Sequence, residues 1–211
     1  MIEKIALNMA KGLGNTLDSE ESVEIYAYAL QGLLMLILNL ILVVSAAFFL
    51  KIVPTTLVFL AVFIPFRAFG GGVHLSTFPR CIMIGSFLML GSAYLAAEMS
   101  IETYQLALLC FFILLLALFS TIKWVPASTK RNPINDPGII RMQKRNMLIT
   151  TVIWAVCAYS FIYSNNHSLA FAMVLGAIVS IMLISPLGFY LMGAIDGILN
   201  KFGKGVLTHD A

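Results

Sequence analysis

The chain has 211 residues, 60% of them hydrophobic and 11% charged, with a formal net charge of +3. Soluble domains carry about 25% charged residues, and one soluble core could not hide this much apolar surface. Composition therefore excludes an ordinary soluble domain and points to an integral membrane protein, with no nucleic-acid partner expected.

Residues 1–14 read MIEKIALNMAKGLG. Ile2, Ile5, Met9 and Leu13 recur at three- and four-residue steps and share one helical face, with Lys4, Asn8 and Lys11 on the other side. Such a helix either lies on the membrane surface or packs against the bundle or another chain. An acidic patch follows, in which Asp18 and Glu21 fit an N-cap and its N3 partner. Residues 1–27 are charged throughout and lack an apolar core, so no cleavable signal peptide is expected.

From Ala29 to Leu50 there is no charge, enough to cross a bilayer core of about 30 Å. Lys51 and Pro54 mark a turn. Ile52 to Phe66 is a second apolar run, shorter than a full span. Either the bilayer thins there, or the following glycines begin below the headgroups. Further runs cover Cys81 to Ala97, Tyr104 to Ile122, Met147 to Tyr163 and Leu169 to Ile195, the last with Pro186 as a kink. The polar stretch 123–146 holds three prolines and cannot be one regular helix. Together these runs describe a single membrane domain over 1–211: an N-terminal segment (1–27), six apolar spans (28–195) and a polar tail (196–211). The expected fold is all-α, a six-helix transmembrane bundle with an N-terminal amphipathic interfacial helix.

Charge gives the orientation. The 123–146 loop carries Lys123, Lys130, Arg131, Arg141, Lys144 and Arg145 against one acid, Asp136. The 67–80 loop has Arg67 and Arg80, and the tail has Lys201 and Lys204. With six spans every basic loop falls on one side, and the positive-inside rule makes that side cytoplasmic, together with both termini.

Between the second and third runs lies RAFGGGVHLSTFPRC, Arg67 to Cys81. His74 and Cys81 are the histidine and cysteine that local geometry can bring together. A thiol needs a base or a positive environment to act as a nucleophile near neutral pH. Cys81 sits at the predicted start of a helix, whose amide end is positive, with Arg67 and Arg80 nearby. Gly70, Gly71 and Gly72 permit positive φ and close approach, and their amides could bind an extended peptide or stabilise an oxyanion. The stretch reads as a re-entrant or interfacial active-site loop. Arg67 is either site support or a snorkelling anchor. Cys110 and Cys157 lie inside apolar runs and read as small hydrophobes. A metal would need three or four ligands, and no further His or Cys cluster lies on this side. A nucleophile thus ranks above a metal, and no cofactor is expected.

The stretch Arg67-Ala68-Phe69-Gly70-Gly71-Gly72-Val73-His74, followed by Cys81, resembles the signature of the AgrB family, the accessory gene regulator membrane cysteine endopeptidases of bacterial quorum sensing. Val125-Pro126-Ala127-Ser128-Thr129-Lys130-Arg131-Asn132-Pro133 resembles a second segment of that family, with Val125 where a small residue is expected. The resemblance implies an enzyme that cleaves the acidic tail from a short AgrD-like propeptide, with Cys81 as nucleophile and His74 as base. It implies an acyl-enzyme thioester that a substrate cysteine converts to a cyclic thiolactone, a plasma-membrane location in contact with lipid, a homodimer, and a role in virulence regulation. Lys130 and Arg131 then either attract the substrate's acidic tail or serve only as a topology signal. The alternative is a non-enzymatic peptide transporter or export partner, and a weaker one is a structural or sensor-partner subunit.

Overall fold

In a computed structural model, the structure describes residues 2–12, 20–73, 75–127 and 134–207. His74, Lys130, Arg131 and the candidate cap Asp18 lie outside the described residues. The described residues form eight α-helices and no strand. Six of these helices are long and apolar enough to cross a membrane, so the expected all-α membrane architecture holds.

The chain divides into two compact units, Met1–Ala46 and Ala47–Ala211. In the first, α1 (Ile2–Gly12) is the expected amphipathic helix. Ile5 and Met9, on its apolar face, remain exposed. Helix α2 (Glu20–Phe49) crosses the boundary between the units. At about 1.5 Å per residue it is longer than a bilayer core, and its apolar window is Leu30–Phe49.

The second unit holds α3 (Val53–Gly70), α4 (Phe78–Glu98), α5 (Thr103–Lys123), α6 (Pro137–Tyr163), α7 (His167–Ile184) and α8 (Pro186–Leu207). Helix α7 is its axis and packs on α3, α4, α5, α6 and α8. Of the six candidate spans it is the most enclosed, with 67% of its apolar window buried. Its sequence explains why. Ala170, Ala172, Gly176, Ala177 and Ser180 are small and buried, which lets neighbouring backbones close in. A β-carbon on Gly176 would lie 3.0 Å from the Phe59 carbonyl of α3. Trp154 of α6 donates its indole N–H to the Met173 carbonyl at 3.0 Å, and its ring meets Phe66 edge-on. The outer faces are apolar instead of polar. Met83, Phe87, Phe112, Ile153 and Val156 stand exposed, as lipid-facing side chains do and as a soluble surface would not.

Two expectations change. The second span is not short. Helix α3 continues through Arg67 to Gly70, which makes it 18 residues and about 27 Å long. The sixth run is not one kinked helix. Ser185 is extended (φ −75°, ψ 157°), α7 stops before it, and α8 starts at Pro186. Pro186 lacks the N–H that would continue the helix and suits a first helical position. The Ser185 hydroxyl bonds the Met182 carbonyl at 2.7 Å and accepts from the Gly188 amide at 3.2 Å, serving both helix ends. Residues 196–207, read as tail, thus belong to a helix.

The basic stretch is likewise half helical. Asp136 caps α6, accepting from the Gly138 amide at 2.7 Å, and Pro137 takes the first helical position. Arg141, Lys144 and Arg145 therefore ride on the first turns of α6. Lys144 reaches back to the Ile122 carbonyl of α5 at 2.9 Å, complementing the negative end of that helix. Hydrogen bonds among 70–73, Ala127 and Leu183 gather the ends of α3, α5 and α7 at one end of this unit. At the other end, Thr103 Oγ1 and His167 Nε2 lie 3.0 Å apart beside Glu102.

Candidate active site

The basic end carries the candidate site. Gly71 and Gly72 have φ of 74° and 122°, backbone that a side chain disfavours. The Gly71 amide donates to the Arg67 carbonyl at 3.0 Å, and the Gly72 amide donates to the Ala127 carbonyl at 3.0 Å. The Ala127 amide returns a bond to the Gly70 carbonyl at 2.9 Å, and the Val73 amide reaches the Leu183 carbonyl at 3.1 Å. Gly71 and Ala127 thereby form an isolated parallel bridge. The two motif segments, far apart in sequence, are in contact.

Space explains the glycines. A β-carbon on Gly71 would sit 2.6 Å from the Ala127 carbonyl oxygen. One on Gly72 would collide with Arg67 Nη1 and lie 2.7 Å from the Leu183 carbonyl oxygen. One on Gly70 would collide with Ile184 Cδ1. Of the glycine amides offered by the sequence as donors to a peptide or an oxyanion, those of Gly71 and Gly72 are already engaged within the protein, as is the neighbouring Val73 amide. In this structure the glycines let separate backbone segments close on one another.

Arg67 lies in the last turn of α3, and its guanidinium turns back over the loop. Nη1 donates to the Gly71 carbonyl at 2.7 Å and Nη2 to the Val73 carbonyl at 3.0 Å. A planar fork suits two carbonyls at once. The guanidinium is also within electrostatic reach of Cys81. Arg67 therefore clamps the loop as well as closing the helix, and it is not simply an anchor reaching for headgroups.

Thr77 precedes α4, with Pro79 in its first turn. The Cys81 amide bonds the Thr77 carbonyl at 3.1 Å, which places Cys81 at the end of that first turn. Helical side chains lean towards the N-terminus, so the half-buried Cys81 leans towards the amide end of α4. Cys110 is fully buried in the core.

Arg80 points elsewhere. Its Nη1 lies 3.2 Å from Asp196 Oδ1 and donates to Asn200 Oδ1 at 2.5 Å, and its Nη2 donates to the Leu199 carbonyl at 3.3 Å. Asp196 also accepts from the Ser76 amide at 3.2 Å and from the Ser76 hydroxyl at 2.8 Å. Burial works against ionisation of the Asp196 carboxyl. The hydrogen bonds from Ser76 and Arg80 outweigh it and hold the group below the usual carboxylate range. A depressed value means these contacts hold above the ordinary carboxylate range and are lost as pH falls through the lowered one.

Of the sequence-predicted site residues, the structure brings Arg67, Gly70, Gly71, Gly72, Arg80 and Cys81 to one end of the unit, while His74, Lys130 and Arg131 lie outside the described residues. Sequence reasoning missed Ala127 as the backbone partner of Gly71, and it missed Leu183 and Asp196. The one available signal was Asp196 and Asn200, spaced to share a helical face in a stretch read as tail.

Residues 2–185 match the family model described as Accessory gene regulator B. The chain is similar to "Putative AgrB-like protein 2" of Clostridium perfringens (strain 13 / Type A), at 26% identity over an aligned length of 212 residues that covers 95% of this chain and 99% of the relative. It is also similar to "Putative AgrB-like protein" of Lactiplantibacillus plantarum, at 27% identity over 151 residues and 71% of each chain. No solved structure matches.

Proposed function

Because the chain belongs to the accessory gene regulator B family, we propose that this multi-pass membrane protein is a cysteine endopeptidase acting on an AgrD-like propeptide in quorum sensing. One observation carries the reading most directly. The Gly70–Val73 loop and Ala127 interlock under Arg67, with Cys81 on the adjoining helix turn and Arg67 within electrostatic reach of it.

The reaction runs in two acyl transfers. The Cys81 thiol gives its proton to His74, and the thiolate attacks the carbonyl that precedes the acidic tail. The C–N bond breaks, the tail's amine takes the proton from His74, and a thioester on Cys81 remains. His74, neutral again, takes the proton of a propeptide cysteine, and the resulting thiolate attacks that thioester. Its C–S bond breaks, Cys81 leaves as the thiolate and regains a proton from His74, and the product is a cyclic thiolactone. One thioester replaces another, so acyl-transfer energy is conserved as long as water is kept out. Lys130 and Arg131 attract the departing acidic tail. The enzyme works as a homodimer in a bacterial plasma membrane.

The covalent intermediate gives the test. Purified protein in detergent, mixed with a propeptide whose internal cysteine is replaced by alanine, should accumulate an adduct on Cys81 that neutral hydroxylamine releases. Tail release with no such adduct would contradict the acyl-enzyme route.

We further propose that the basic end faces the cytoplasm. A cysteine placed at Asn135 should react with an impermeant thiol reagent only from the inside, and one at Ser164 only from the outside. The opposite pattern would reverse the orientation.

A further inference from the structure

We propose that Asp196 of α8 is a positioning residue for Cys81, holding both ends of the Ser76–Arg80 segment on one carboxylate. The inference rests on the reading of Cys81 as the nucleophile.

Asp196 touches α4 on either side of its cap. Oδ2 accepts from the Ser76 amide at 3.2 Å, just before Thr77. Oδ1 accepts from the Ser76 hydroxyl at 2.8 Å and from Arg80 Nη1 at 3.2 Å. Arg80 Nη1 also donates to the Ser76 hydroxyl at 3.3 Å, which closes a ring of three groups. Arg80 is the residue before Cys81, so the carboxylate fixes the turn that bears the thiol. Asn200, one helical turn further along α8, accepts from the same guanidinium. The side chains of Arg80 and Asp196 are only 23% and 18% exposed, so salt screens this pair less than a surface pair.

The bonds of the Asp196 carboxylate complement those of Arg67. Arg67 and Leu183 hold Val73, the residue before His74. Asp196 holds Ser76, just after His74 and Leu75. Val73 and Ser76 are thus fastened by different helices. Small displacements of reacting groups cost large factors in rate, so a residue that sets the placement of the Cys81 turn should act on kcat more than on KM.

Five variants of the full chain in detergent test this: Asp196→Ala, Asp196→Asn, Arg80→Asp, Asp196→Arg, and the exchange that combines the last two. Propeptide cleavage gives kcat and KM. Alkylation of Cys81, resolved by mass spectrometry as a function of pH, reports the thiol's surroundings without substrate. Asp196→Ala should lower kcat by roughly ten- to hundred-fold, leave KM within about twofold, and displace the pH profile of Cys81 alkylation. Asp196→Asn keeps an acceptor for Ser76 and loses the ion pair, so it should fall between alanine and wild type. The exchange should regain part of the activity that either single change loses. Wild-type kcat in Asp196→Ala would overturn the proposal. So would equal losses in the alanine and asparagine variants with an unmoved alkylation profile, which would mark a mere structural tie. If Asp196→Ala does not accumulate, the asparagine and exchange variants decide the matter by the same measurements. An inert Cys81→Ala beside a normal Asp196→Ala sinks this inference alone, whereas an active Cys81→Ala sinks the enzymatic reading beneath it.

Discussion

Replacing Cys81 by alanine should lower propeptide cleavage by at least about 10⁴-fold in kcat/KM, while insertion and protein level stay near wild type. The side chain is half-buried at a helix start, and truncating it opens little space in the core. Only the nucleophile is lost, and without it no thioester forms. His74→Ala should also abolish cleavage at neutral pH, because the thiol then has no base. Cys81→Ser makes the sharper comparison. A serine hydroxyl is far harder to deprotonate and would leave an ester, so cleavage should collapse even though the shape is almost unchanged. A peptide transporter of the same architecture would tolerate that change and would move substrate across sealed vesicles. The measurement is release of the acidic tail by purified variants in detergent, and undiminished release from Cys81→Ala or His74→Ala would refute the peptidase reading.

Gly72→Ala should be nearly as damaging, for a different reason. Its φ of 122° is costly for any side chain, about 1–3 kcal/mol. The added methyl would collide with Arg67 Nη1 and approach the Leu183 carbonyl to 2.7 Å. One of the two must move. If Arg67 moves, its bond to the Gly71 carbonyl is broken. If the backbone moves, the Val73–Leu183 bond is lost. Cleavage should drop by about 100-fold, with the protein still inserted. Gly85→Ala is the control. A β-carbon there meets nothing within 4 Å, and alanine is the better helix former, so activity should be retained. Equal behaviour of the two variants would show that the loop tolerates rearrangement.

The spans and their shared basic end were legible because both signals are compositional and local. Apolar runs of span length and lysines clustered between them survive without knowledge of partners. What escaped was set by pairs distant in sequence. Arg67 looks like the end of an apolar run, because the carbonyls that accept its donors are visible only once the chain turns back at Gly71. Ser185-Pro186 carries a cap and a first-position proline, yet it lies within one continuous apolar run and reads equally as a kink. The Gly72 amide looked free because its acceptor, Ala127, belongs to another part of the chain. Asp196 was one of two acids in an expected tail, and its partners Ser76 and Arg80 lie on the far side of several helices in sequence. The family resemblance pointed to both motifs as separate strings, and the backbone pairing of Gly71 with Ala127 joins them.

The bond from Val73 to Leu183 has a consequence for the order of synthesis. Ribosomes deliver the glycine loop early, together with Cys81, but its acceptors arrive later. Ala127 follows α5, and Leu183 stands at the end of the last membrane-crossing helix. Until α7 has been made and inserted, the Val73 amide lacks this acceptor, and α8 with Asp196 does not yet exist. A nascent chain therefore carries its thiol through most of translation with the surrounding scaffold unfinished, and the loop is completed only when the final span docks.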